Sequence, residues 1–194
     1  MSEASATIVR RRRGRLLEEE ILSAAWAELT EVGWSRFRVD SVAERAGASK
    51  ASIYRRWPNR AALVMAASRL AAETVDEAPE RTGHLRTDLL AALRTVATFM
   101  AGPFGEAARG MVADAALLGH QADSWSETRI RLVQATIAGA EGGGPELAAR
   151  LSPRILRLGP ELVAHHCLVH GDIPGADEIA GIVDEAWLPL IRMS

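Results

Sequence analysis

The stretch RVDSVAERAGASKASIYRRWPNRAALV, residues 38–64, constrains the fold more than any other part of the chain. Ala43 and Gly47 stand four apart, so on a helix they share a face, and neither has the bulk to hold a second helix away. Gly47 supplies a turn, and Ser49 is placed to cap the free N–H groups that begin at Lys50. Ile53, ten residues after Ala43, fills the space between the two helices and whatever precedes them. The pattern predicts a helix over 39–46, with Val42 and Ala46 inward, and a second over 50–57. Lys50, Ser52, Tyr54, Arg55 and Arg56 make that second helix too polar and too basic to be buried in a plain αα-hairpin. This is the helix-turn-helix arrangement, whose second helix stands proud of the body and can enter a major groove.

The charge distribution points the same way. Residues 1–60 hold 12 Lys/Arg against 8 Asp/Glu, and the remainder 11 against 17, so the overall charge of −2 conceals a basic N-terminal part. That split suits a nucleic-acid-binding head on a body with another task. Residues 1–14 are expected to be a flexible basic arm, because five of residues 10–15 are arginine and repel one another. From residue 16 a helical period takes over, with Leu17, Ile21, Ala25, Leu29 and Val32 on one stripe, joined by Leu22 and Trp26. Glu18, Glu19, Glu20 and Glu28 mostly take the other side. Helix 1 is expected over 15–31, ended by Gly33.

GWSRFRVDSVAERAGASKASIYRRWPNRAALV resembles the N-terminal DNA-binding domain of the TetR family of transcriptional regulators. The resemblance covers about residues 15–64, and its specific parts are the Ala-Gly-x-Ser-Lys turn and the following Ile-Tyr-x-x-Trp-Pro-Asn-Arg-x-x-Leu. It implies an all-α protein: a three-helix DNA-binding domain over 15–60, then a helical ligand-binding and dimerisation domain over 61–194. It also implies that residues 50–57 form the recognition helix, that Tyr54 lies against the phosphate backbone, and that Arg60 meets a phosphate where many members carry Lys. Arg38 stands where members usually have a capping Thr, so either the cap is lost or Arg38 contacts phosphate. Ala51 stands where Gly is frequent. By reach, Lys50, Ala51, Ser52 and Arg55 are the candidates for base edges, while Tyr54, Arg56, Arg38 and Arg60 are phosphate candidates, with Ser49 beside them as the cap. The arginine arm suits narrow A·T minor grooves.

Beyond residue 60 the sequence predicts helices over 59–76, 84–101, 105–118, 123–140, 152–170 and 175–191, about nine in all, with loops at 78–83, 142–145 and 171–175 and no strand of convincing length. By the same resemblance the last two helices form a homodimer interface. Leu156, Leu162, Val163, Val169, Ile179, Ile182, Val183, Trp187 and Leu190 supply more apolar surface than a thin bundle can bury alone. Two recognition helices would then sit about one DNA turn apart, ~34–36 Å, on a double-stranded, inverted-repeat operator. The body would hold a pocket for an unidentified small-molecule effector, with Phe99, Met100, Phe104, Met111, His120, Trp125, His165 and His166 as candidate lining residues. Ligand binding would favour one spacing of the heads through helix 4 and release DNA, giving a ligand-responsive repressor.

The alternative is a metal-sensing regulator. His166 and His170 share a helical face, and Cys167 is three residues from His170. No second cluster offers obvious further ligands, so no metal or other cofactor is expected. An enzyme is not expected either: no Gly-rich phosphate loop, Gly-x-Ser-x-Gly elbow or His-Glu-x-x-His occurs. With a single cysteine and no apolar run of about 18 residues, the sequence reads as a soluble, cytoplasmic protein without a membrane partner.

Overall fold

The computed structural model describes the backbone of residues 3–74, 81–113 and 121–194, and side chains within these except at 3–13, 73, 74, 113 and 121–129. The described residues are helical throughout, apart from turns and a single backbone bridge between His84 and Glu141. In chain order they form α1 (Glu3–Arg36), α2 (Val39–Arg45), α3 (Lys50–Tyr54), α4 (Arg60–Thr74), α5 (Leu85–Ala101), α6 (Pro103–Ala113), α7 (Gln121–Ala138), α8 (Pro145–Arg150), α9 (Pro153–His170) and α10 (Ala176–Gly181). A π-helical turn, Ile182–Trp187, then leads into α11 (Leu188–Met193). No described helix is long and apolar enough to cross a membrane. The chain divides into two compact units, Met1–Thr74 with Gly110–Gly119 and Val75–Arg109 with His120–Ser194.

In the first unit, α1 packs on α2 and on α4. Its core is built from Ile21, Ala25, Leu29, Trp34, Phe37, Val42, Ile53 and Trp57, with Ala61 to Ala67 of α4 all buried. Gly33 breaks the helical path of α1 at φ 72°, as the sequence led us to expect; only a residue without Cβ adopts that conformation cheaply. The backbone is helical from Glu3, Ala and Arg being strong helix formers. One expectation needs correction. Glu28 does not share the solvent side with Glu18 to Glu20 but is buried, with Arg45 of α2 at 3.6 Å. Gly110 lies against Trp34, where a Cβ would stand 2.2 Å from the indole Cδ1.

In the second unit, α9 packs on α5 and α7, and the π turn closes on α9. Trp187 is fully buried and donates its indole N–H to the carbonyl of Ile155 at 2.7 Å. The close approach depends on Gly159, whose Cβ would stand 2.3 Å from Trp187 Cε3. Pro160, inside α9, has no N–H to donate to the preceding turn, and the helix runs on around it. The last helix, expected unbroken over 175–191, instead widens into the π turn, which aims Trp187 at this notch. Gly102-Pro103 stops α5 as expected, and α6 begins at once, two residues before the expected 105, with Pro103 first, a place where its missing N–H costs nothing. Residues 145–150 form α8, which the sequence reading placed between helices, with Pro145 again near the start. The expected helix ends at 75–76 and 114–118, and part of the loop at 78–83, lie outside the described residues.

Asp88 is the buried anion of this unit. Its carboxylate accepts from the Thr82 N–H and hydroxyl, both at 2.8 Å, and from the Gly83 N–H at 3.2 Å. Burial works against the charge, but these donors and nearby His84 outweigh it and hold the carboxyl below its ordinary range. A carboxyl depressed in the folded state stabilises fully above its unfolded value and loses that contribution as the pH falls through the folded one. Asp88→Asn is therefore expected to cost about 1–3 kcal/mol at pH 7, with the gap to the unsubstituted protein closing below about pH 4, read from urea midpoints at both pH values. Gly159→Ala is expected to cost about 1–3 kcal/mol by the same measurement, because Trp187 cannot retreat without giving up its hydrogen bond.

Candidate nucleic-acid interface

Each element of the helix-turn-helix is held by a local device. Arg38 precedes α2 in extended conformation with no side-chain cap, so the cap that its position usually provides is absent and its guanidinium is left exposed. α2 is anchored instead by Arg45, which grips Glu31 of α1 through two hydrogen bonds of 2.9 and 2.5 Å. That hydrogen bonding holds the Glu31 carboxyl below its ordinary range. Gly47 turns at φ 59°, and the Ser49 hydroxyl accepts from the Ser52 N–H at 3.2 Å, the expected N-cap. Ile53 is buried, and the backbone N–H groups of Arg55 and Trp57 donate to Ala51 and Ile53, so the turn continues past Tyr54 to the buried Trp57. Asn59 caps α4, accepting from the Ala62 N–H at 2.8 Å. The sequence reading took Asn59 as the first helical residue; an Asn three positions before a buried Ala is the signal that marks it as the cap.

The outer surface of this unit carries Arg38, Ser49, Lys50, Ala51, Tyr54 and Arg55, all exposed. Tyr54 is 48% exposed. Ser52, Arg56 and Arg60 are half-buried and partly engaged within the unit. The Arg56 guanidinium folds back on its own helix, donating to the Ser52 hydroxyl at 3.0 Å and carbonyl at 3.2 Å, with Glu18 of α1 at 3.9 Å. Arg60 lies over the Trp34 ring, 4.1 Å from its centroid, a cation–π contact that fixes the start of α4. Two acids missed by the sequence reading lie among these cations: Glu18, and Asp40 on α2, whose carboxylate is 2.5 Å from the Lys50 ammonium.

The candidate lining residues of the second site do not gather as expected. The Phe99 and Phe104 rings meet at 5.3 Å between centroids, tilted by 34°, and Met100 and Phe104 are buried. Met111 is buried too but belongs to the first unit. His120 and the Trp125 side chain lie outside the described residues. His165 is exposed on α9, and His166 meets acids, Glu178 at 2.8 Å and Asp172 at 3.1 Å. The metal reading finds no support among the described residues. The His166 and His170 rings do meet, 4.6 Å apart, but Cys167 is buried, its thiol pushed up by that burial. Among the described residues no group of three or more His, Cys, Asp or Glu could hold a metal ion.

Comparison with known proteins gives this surface its context. Residues 21–67 match the family model of bacterial regulatory proteins of the tetR family, and residues 79–186 match the tetracyclin repressor-like C-terminal domain. The chain belongs to the TetR family. An HTH-type transcriptional regulator of Mycobacterium tuberculosis is 31% identical over 184 residues, 91% of this chain and 89% of its own. The DNA-binding transcriptional repressor TetR of Mycobacteroides abscessus is 42% identical over 81 residues, 42% of this chain and 43% of its own. The HTH-type transcriptional regulator YdeS of Bacillus subtilis is 48% identical over 58 residues, 28% of this chain and 29% of its own. As a TetR-family member the protein is a DNA-binding transcriptional regulator, with the all-α, two-part architecture its sequence announced. Ser49→Ala removes the cap of α3 and is expected to cost about 0.5–2 kcal/mol in a thermal or urea melt of the whole chain.

Proposed function

We propose that the protein is a repressor that binds an inverted-repeat operator as a homodimer and leaves it when a small molecule binds the second unit. The single observation that carries the DNA side of this reading is that the helix-turn-helix leaves Arg38, Lys50, Tyr54 and Arg55 all exposed. Lys50, Ala51, Ser52 and Arg55 are read as facing base edges; Arg38, Tyr54, Arg56 and Arg60 as facing phosphates, with Ser49 holding the turn. Arg56 must then leave Ser52, or reach phosphate past it, when DNA arrives. The arginines at 10–15 are read as an added contact to the backbone or a minor groove, and the cytoplasm as the place of action. Repression is supported by the Mycobacteroides abscessus relative, whose name says that it is a repressor.

Dimerisation is supported by exposed apolar side chains of the second unit. Leu162 and Val169 on α9, Ile173 in the following loop, and Leu190 and Met193 on α11 are all exposed. Much of the expected surplus is spent inside the protomer: Leu156, Val163, Ile179, Val183 and Trp187 are buried there. Of the expected set Leu162, Val169 and Leu190 stay exposed and Ile182 is half-buried, and Ile173 and Met193 add to them as the apolar centre of an interface. The effector reading is narrowed to the cluster of Phe99, Met100 and Phe104, an apolar lining that suits a hydrophobic or aromatic compound.

Two measurements test the reading. In gel shifts on the DNA flanking the protein's own gene, the unsubstituted chain is expected to retard one fragment and Tyr54→Ala to bind it about tenfold more weakly, the loss of one hydrogen bond to a charged group. Equal retention by the variant would remove Tyr54 from the interface. In sedimentation, the double substitution Leu162→Asp with Val169→Asp is expected to convert a dimer of about twice 20.9 kDa to monomer. A dimer that survives both charges would place the interface elsewhere.

A further inference from the structure

A cation that reads a base must be kept from the phosphates around it, because phosphate attraction is blind to sequence. Lys50 is the only lysine in the chain, and every other fixed cation is an arginine. It opens α3, the helix read here as entering the major groove. Its ammonium is not free: the Asp40 carboxylate on α2 holds it at 2.5 Å, across the turn that separates the two helices. Both side chains are open to an approaching ligand, Lys50 at 57% and Asp40 at 63% exposure. A pair so exposed adds little to folding, which leaves its position at the DNA-facing surface as the feature to explain.

We propose that Asp40 is a positioning residue for sequence reading, orienting Lys50 toward one base edge in each half-site while denying it to phosphates. The inference rests on the DNA-interface reading above and goes beyond it by assigning a role to an acid on the binding face. An ammonium has three N–H donors. With one given to Asp40, two remain for the O6 and N7 acceptors of a guanine, the base edge that a lysine suits. Lysine fits this role where arginine does not, because its donors rotate about a single point while a guanidinium presents a fixed fork that Asp40 would occupy whole. On DNA without the matching base the pair stays closed. Its net charge is zero, so Lys50 releases no counterion and contributes nothing to indiscriminate binding. Asp40 itself repels the backbone wherever the fit is wrong, which sharpens the choice. Arg56, turned onto Ser52 and Glu18, is held back in a similar way but at longer range.

The test uses the whole chain and needs no prior operator. A pool of randomised duplexes is selected on the unsubstituted protein and on Asp40→Asn, and affinities are then measured on the preferred duplex and on a scrambled one of equal length and composition, from low to moderate NaCl. Asp40→Asn is expected to tighten binding to the scrambled duplex about two- to fivefold at low salt. The slope of log K against log salt is expected to steepen by about 0.9, one more phosphate neutralised. On the preferred duplex the variant is expected to bind no tighter, and its selected pool to lose the guanine preference at one position per half-site. Lys50→Ala is expected to lose that same preference without steepening the slope. Equal tightening on both duplexes with an unchanged base preference would overturn the proposal, leaving Asp40 as a general negative charge. Enrichment of no sequence by the unsubstituted chain would instead overturn the operator reading itself, and this inference with it.

Discussion

A helix of five residues cannot stand by itself, and the surface proposed to face DNA depends on what holds α3. Isolated helices of this length do not form in water, so α3 exists because Ile53 is pinned in the core, Trp57 follows it there, and Ser49 closes its open end. Those anchors only work if α2 is followed by the tight turn at Gly47, which serves through its φ of 59° and not, as the spacing suggested, through a close approach, since a Cβ there would meet nothing within 4 Å, and if α2 is itself fixed to α1. The Arg45 grip on Glu31, with buried Glu28 behind it, supplies that last tie. The polar face of α3 is therefore presented by a frame whose apolar and charged contacts lie elsewhere in the first unit. A surface built in this way can change its base-facing residues without losing its shape.

The same economy explains how the cations are used. Without DNA, Arg45 holds a carboxylate of α1, Arg60 lies over the Trp34 ring, and Arg56 turns back onto Ser52. Arg38, Arg45 and Arg55 are exposed guanidinium groups of the motif, Arg45 being held by Glu31, and Lys50 is exposed and paired with Asp40. Counting positive charge along the sequence thus overstates what is free to meet DNA. Position in the fold decides which charges are available, and acids on the same face tune the rest.

Much of this was legible in the sequence, for definable reasons. Helix boundaries that depend on local chemistry came through: the Gly33 break, the Ser49 cap, and the run from Leu85 to Ala101 ended by Gly102. The helix-turn-helix was readable because its residues act on neighbours within a dozen positions. What escaped depends on distant parts of the chain. Nothing near residue 182 announces a π turn; the reason for it is the Gly159 notch that Trp187 fills, almost thirty residues back. Glu28 looked like a solvated acid until Arg45 arrived from another helix. The surplus of apolar residues in the last two helices was real in the sequence, but most of it is consumed by packing within the protomer. His166 looked like a ligand because its neighbours in sequence are His and Cys, whereas its neighbours in space are Glu178 and Asp172. Short apolar and capping patterns report themselves; pairings between remote side chains do not.

The central claim is that one face of the first unit, built on α2 and α3, is what meets duplex DNA. Amide hydrogen exchange with and without a short duplex tests it directly, because every peptide of the chain is read in one experiment. The account expects slowed exchange over residues 38–60 when duplex is added, strongest from Ser49 to Arg56, and none over Pro153 to Met193. Protection confined to the second unit, or absent from residues 38–60 under conditions where the duplex is bound, would contradict it.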